Sequence, residues 1–133
     1  MASPAEPGWV DVCGLDDLSA DRGRAALVHG HRVALFRLSP DDDLFAIDDL
    51  DPFCGAPVLS RGLVGTTGDR PKVASPMYKQ GFDLATGVCL SDPSVSVTVY
   101  PVRRAGDRVQ VRVLPQAVVQ PRGGTDNDAD ARP

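Results

Sequence analysis

Two short stretches late in the chain alternate valine with polar residues, and that period of two sets the fold class. Val95, Val97 and Val99 alternate with Ser94, Ser96 and Thr98. Val109, Val111 and Val113 alternate with Arg108, Gln110 and Arg112. Successive side chains of a β-strand point to opposite faces, so both segments should turn valine to a core and the polar set to water. The connection Arg104-Ala105-Gly106-Asp107 is short and carries glycine, as a hairpin requires. Pro101 has no amide hydrogen for a ladder and marks an edge or a bulge, and Val102 breaks the odd-numbered register there.

Earlier segments carry the same signal. Trp9-Val10-Asp11-Val12 alternates, a strand is expected near residues 25–28, and Arg32–Leu38 is a β-rich run preceded by the turn His29-Gly30-His31. Ser39-Pro40-Asp41-Asp42-Asp43 is a second turn, leading into Leu44-Phe45-Ala46-Ile47. Nothing sustains a period of 3.6, so helix is limited to one turn near Leu15–Leu18. Thirteen glycines and twelve prolines suit short strands joined by tight turns. The reading is an all-β domain over residues 9–114, a flexible N-terminus at 1–8 and a polar, disordered tail over 115–133.

The formal charge is −4, and no stripe of basic residues with interleaved aromatics is present, so nucleic acid is not an expected partner. No apolar run approaches the roughly 20 residues of a membrane span. The start, Met1 to Gly8, lacks the basic and apolar regions of a secretory signal, and a cytoplasmic address is expected. Cys13, Cys54 and Cys89 are odd in number and far apart, which points to three reduced thiols, two in strands and one in a loop. No Gly-x-Ser-x-Gly elbow, dinucleotide fingerprint or P-loop occurs, so neither nucleophilic catalysis nor nucleotide binding by those devices is expected.

Two loop segments hold the remaining information. The first is Asp51-Pro52-Phe53-Cys54-Gly55-Ala56-Pro57-Val58 and the second is Ser75-Pro76-Met77-Tyr78-Lys79-Gln80-Gly81-Phe82-Asp83-Leu84. Their spacing resembles the Cys-x-His and Cys-x-x-His pairs that hold a Rieske iron–sulfur centre. Together with Val58–Gly62, Gly87-Val88-Cys89-Leu90 and Tyr100-Pro101-Val102-Arg103, they resemble the small-subunit family of assimilatory NAD(P)H-dependent nitrite reductases. That resemblance implies a Rieske-like antiparallel β-sandwich or barrel with a subdomain of two loops. It also implies a non-catalytic subunit of an enzyme that reduces nitrite to ammonium. FAD, sirohaem and an iron–sulfur cluster would then sit on the large catalytic subunit, with no cofactor on this chain.

The positions that match the ligand slots hold Asp51, Phe53, Ser75 and Tyr78. Asp51 is a hard oxygen donor, Phe53 cannot ligate, and Ser75 and Tyr78 are weak ligands, so no metal is expected. Cys54 lies one residue past a slot, and His29 and His31 flank a turn remote in sequence from both loops. Phe53 and Tyr78 are expected to pack across the gap between the loops in place of metal–ligand bonds. Asp41–Asp43 read as a solvated turn, while Asp48 and Asp49, with Arg61, Lys72 and Lys79, are candidates for a partner interface. Arg70 joins these cations against the single acid Asp69, and residues 63–68 are an arm ordered by a partner or a hairpin. The rival readings are a Rieske-type ferredoxin that carries a [2Fe-2S] cluster, and a stand-alone Rieske-like binding module.

Overall fold

The computed structural model describes residues 8–77 and 79–113. The expectations for the flexible start, Gly8 apart, and for the tail over 115–133 lie outside the described residues. Among the described residues, nine strands form three antiparallel sheets of three: β1(Trp9–Gly14), β9(Arg108–Arg112) and β8(Val102–Ala105) in one; β2(Arg22–Val28), β3(His31–Leu38) and β4(Asp43–Asp48) in the second; β5(Leu63–Thr67), β6(Arg70–Ala74) and β7(Gly81–Asp83) in the third. Single 3₁₀ turns occupy Leu15–Asp17 and Leu59–Arg61. The all-β reading and the helical turn near Leu15 agree with this, and residues 63–68 prove to be one arm of the β5–β6 hairpin.

β3 is the hinge of the architecture because both its faces are buried. Val33 and Leu35 enter one core with Cys13, Leu15, Leu18, Val109, Val111 and Val113, between the first and second sheets. Ala34, Phe36 and Leu38 enter the other, with Ile47, Leu59, Val73, Phe82, Leu84 and Val97, between the second and third sheets. A strand covered on both sides loses the alternation of a half-exposed one, which is why Val33-Ala34-Leu35-Phe36 reads as an unbroken apolar run. The hairpin between β2 and β3 turns at His29 and Gly30, both with positive φ (50° and 82°), the type that matches strand twist.

The stretch from Val95 to Val99 departs from the expected strand. It makes only single bridges, Ser96 to Val88 and Val99 to Ile47. Its amides and carbonyls serve different neighbours in turn: Val95 O accepts from Cys89 N, Val97 N donates to Gly87 O, and Thr98 O accepts from Asp48 N. The segment crosses from the third sheet to the second, so no partner accompanies it long enough for a ladder. Val97 is buried but Val99 is 37% exposed. By contrast Val109, Val111 and Val113 are all buried as expected, although Gln110 is buried too and accepts a hydrogen bond from Arg103.

Gly87 is required where this crossing passes. Its φ is +79°, and a β-carbon there would lie 2.2 Å from the carbonyl oxygen of Val97. Gly87→Ala is expected to destabilise the fold by about 2 kcal/mol or more, read as a lower denaturant midpoint with an unchanged slope.

Candidate functional site

The third sheet and its flanking loops carry the two segments singled out in the sequence. As β4 ends, Asp49 anchors the way out: its backbone N–H donates to Arg32 O at 3.0 Å, and its carbonyl and carboxylate accept from Leu59 N and Ser60 N at 3.0 and 2.7 Å. The first loop then closes on itself, with Asp51 N donating to Ala56 O and Gly55 N donating to Asp51 O. Asp51 Oδ1 accepts from Phe53 N at 2.8 Å, a local turn that aspartate side chains favour. The second loop has the same plan: Ser75 N donates to Gln80 O and Lys79 N to Ser75 O, and Ser75 Oγ accepts from Met77 N at 3.2 Å. Lys79 takes the left-handed conformation (φ 61°) that turns this loop back.

The two loops meet through a side-chain hydrogen bond. Ser75 Oγ donates to Asp51 Oδ2, with both residues buried, 0% exposed for Asp51 and 1% for Ser75. Each side chain therefore holds its own loop with one partner and the opposite loop with another. A carboxylate accepts only and a hydroxyl supplies one proton, so the pair is complementary, and its low-dielectric setting strengthens it. These are the two slots where the Rieske pattern has thiolates.

That donor set does not fit a [2Fe-2S] cluster. Both oxygens of Asp51 and the hydroxyl of Ser75 are already committed to each other and to backbone amides, and Phe53 offers no donor atom. Among the described residues, no group of three or more His, Cys, Asp or Glu side chains is placed to hold a metal ion. Cys54 is partly exposed on the first loop, and Cys13 and Cys89 lie in the two cores.

Of the two rings expected to pack between the loops, only Phe53 lies among the described residues. Phe53 packs on Phe82, ring centroids 6.1 Å apart and tilted 44°, and is itself 37% exposed. Tyr78 lies outside the described residues. Phe53 thus seats the first loop on Phe82 of the second segment, in the third sheet, and the polar Asp51–Ser75 contact joins the two loops as well. Phe53→Ala is expected to cost about 1 kcal/mol, well below a full core deletion, because a third of the ring already faces water. Thermal melting of the variant checks this.

Asp83 is a second organising carboxylate. It is buried at 2% exposure, pairs with the Arg70 guanidinium, and accepts from Ala85 N and Thr86 N at 2.8 and 3.0 Å. Burial pushes its carboxyl upward. The Arg70 hydrogen bond, the two amides and the Arg70 charge outweigh that and hold it below the usual carboxylate range. Stability from a depressed acid is complete above its unfolded value near pH 4 and is lost as pH falls through the folded value. Asp83→Asn is therefore expected to lower the melting temperature at pH 7 and to flatten its decline below pH 4. A variant whose acid decline matches the parent's would contradict this.

The interface candidates separate. Asp49 is fully buried, so it is structural and offers no surface to a partner; Arg32 Nε lies 3.9 Å from its Oδ2. Asp48 is half-buried and lines a different cleft, with His31, Tyr100 and Arg112. Arg61 and Lys79 share a cleft of about 310 Å³ with Leu63, Ala74 and Pro76. Lys72 is on β6 opposite Gly65. Arg70 is engaged by Asp83, and Asp42 in the exposed acidic turn pairs with Arg37 at 2.9 Å. With Asp49 buried and Asp48 in another cleft, Arg61 and Lys79 lie together beside the second loop without either acid.

Comparison with known proteins decides what this architecture belongs to. Residues 8–112 match the Rieske-like [2Fe-2S] domain family. The chain belongs to that family. Its relatives include the nitrite reductase (NADH) small subunit of Escherichia coli K12, 41% identical over 104 residues that make up 78% of this chain and 96% of that protein. A crystal structure described as that of an NADH-dependent nitrite reductase small subunit from Mycobacterium tuberculosis is 47% identical. It superposes with a TM-score of 0.77 over 80% of this chain and 95% of the other. A third relative, the nitrite reductase [NAD(P)H] large subunit of Klebsiella oxytoca, is 37% identical over 110 residues, 83% of this chain but only 11% of that much longer protein. The Rieske-like fold and the likeness to nitrite reductase small subunits agree with the sequence reading. Within this Rieske-like family, the present chain has its two thiolate slots filled by an aspartate and a serine that bind each other.

Sequence reasoning missed the Asp51–Ser75 pair, the anchoring role of Asp49 and the Arg70–Asp83 bridge. For the first a signal existed: one slot had become a pure acceptor and its counterpart a donor.

Proposed function

We propose that this chain is the small, non-catalytic subunit of an assimilatory NAD(P)H-dependent nitrite reductase, an enzyme that reduces nitrite to ammonium. It docks on the large catalytic subunit, which carries FAD, sirohaem and an iron–sulfur cluster, and the complex works in the cytoplasm. The observation that carries this reading is the Asp51–Ser75 bond: a fold matched to nitrite reductase small subunits closes its two loops without metal ligands. A ferredoxin would need donor atoms that these loops use for each other. A stretch resembling this domain also lies within the Klebsiella oxytoca relative named as a nitrite reductase [NAD(P)H] large subunit. Arg61, Lys72 and Lys79 are placed to orient the domain on an acidic partner face, an arrangement that acts mainly on association rate and register. No described helix is long and apolar enough to cross a membrane.

Affinity purification of the tagged chain from its own cells tests the proposal. Nitrite-dependent NAD(P)H oxidation is expected in the eluate, and the chain alone is expected to be inactive. A chain that never associates with that activity, in cells whose nitrite reduction survives deletion of its gene, would overturn the subunit role.

A further inference from the structure

β5 is an edge strand: it pairs with β6 on one side and with no described strand on the other. Its register fixes which backbone groups are free. Thr67 and Arg70 close the hairpin and Thr66 stands opposite Pro71, which has no amide hydrogen. Hydrogen-bonded and non-bonded pairs alternate along an antiparallel ladder, so Thr66–Pro71 and Val64–Val73 are the non-bonded pairs. The N–H and C=O of Val64 and Thr66 therefore point outward.

Edges of this kind are normally guarded by lysine, proline, a bulge or a covering loop, but Leu63-Val64-Gly65-Thr66-Thr67 carries no charge and no proline. Leu63 is 78% exposed. Clefts of about 360 and 310 Å³ share the residues Arg61-Gly62-Leu63 at the start of this strand. Arg22 lines the first, Lys79 lines the second, and Arg61 lines both. Among the described residues, the one acid in their walls, Asp21, is occupied, accepting from Ser39 N and Oγ at 3.0 and 2.6 Å.

We infer that the outer edge of β5 takes up an extended, acidic segment of the large subunit as a fourth strand of the third sheet. The main-chain groups of Val64 and Thr66 would supply the ladder. Leu63 would supply an apolar anchor, and Arg22, Arg61 and Lys79 the charge preference. The inference rests on the subunit role proposed above and specifies how that role is met.

Hydrogen exchange on the purified complex reads this directly. The Val64 and Thr66 amides are expected to exchange at least tenfold more slowly in the complex than in the free chain. Thr66→Pro removes the outward donor while leaving the β6 ladder intact, and is expected to weaken association at least tenfold with the free chain still folded. Arg61→Glu is expected to weaken it more at low salt than at high salt. A complex that forms with unchanged exchange at both amides, or that binds Thr66→Pro as well as the parent, would overturn strand addition and leave the subunit role standing. If Thr66→Pro does not fold, the exchange measurement and Arg61→Glu decide. Failure of the parent chain to associate at all would overturn both.

Discussion

Asp51→Ala is expected to lower the folding free energy by about 3 kcal/mol and the melting temperature by on the order of 10 °C. The substitution removes the acceptor of Phe53 N and, more costly, leaves the Ser75 hydroxyl buried with no acceptor for its proton. Unsatisfied buried groups carry their full desolvation penalty, about 1–3 kcal/mol each, which is why one side chain has so large an effect. Ser75→Ala is expected to cost about 2 kcal/mol, because Asp51 keeps its bond to Phe53 N. If the two residues hold the loops together as a unit, the double variant costs less than the sum of the single ones, by about 1 kcal/mol or more. Denaturant unfolding of the four proteins measures that difference. Strictly additive losses would mean that each residue serves only its own loop.

Phe82→Ala is expected to have the largest effect of any substitution in the loop subdomain, about 3–5 kcal/mol. The ring is wholly buried in the core between the second and third sheets, beside Phe36, Leu84 and Val73, and it is the floor on which Phe53 rests. Removing it opens a cavity and unseats the first loop at once, whereas Phe53→Ala trims only the upper, half-solvated member of the pair. The comparison of the two alanine variants is the informative result. A Phe82→Ala chain as stable as Phe53→Ala would mean that the third sheet does not depend on this core for its position.

The loop framework was legible in the sequence because its signals are local. Glycine at turns, an extended residue before proline and the Gly81-Phe82-Asp83 strand report on the conformation of their own neighbourhood, and so does the valine alternation of β9. What failed was long-range. The alternation at Val95–Val99 is as regular as that of β9, but it serves a segment that changes partner every two or three residues, and periodicity carries no information about a partner's persistence. Asp49 resembles the acids beside it in sequence, yet only the return of the chain at Ser60, eleven residues later, makes it a buried anchor. Asp51 and Ser75 are 24 residues apart, and judged one at a time each is simply a poor ligand. Considered as a pair they are an acceptor and a donor brought together by the same loop geometry that would place two thiolates. The replacement preserves the architecture because it preserves a bond between the loops, with a hydrogen bond where the family pattern has metal coordination.

The loops are expected to be closed by the protein's own side chains, through Asp51 and Ser75, with no cluster between them. Iron and acid-labile sulfide analysis of the isolated chain, prepared anaerobically and read together with its visible spectrum, tests that claim most directly. The expected result is a colourless protein with neither element above background. Iron and sulfide in the proportions of one [2Fe-2S] cluster per chain, with the absorption such a cluster gives, would contradict it.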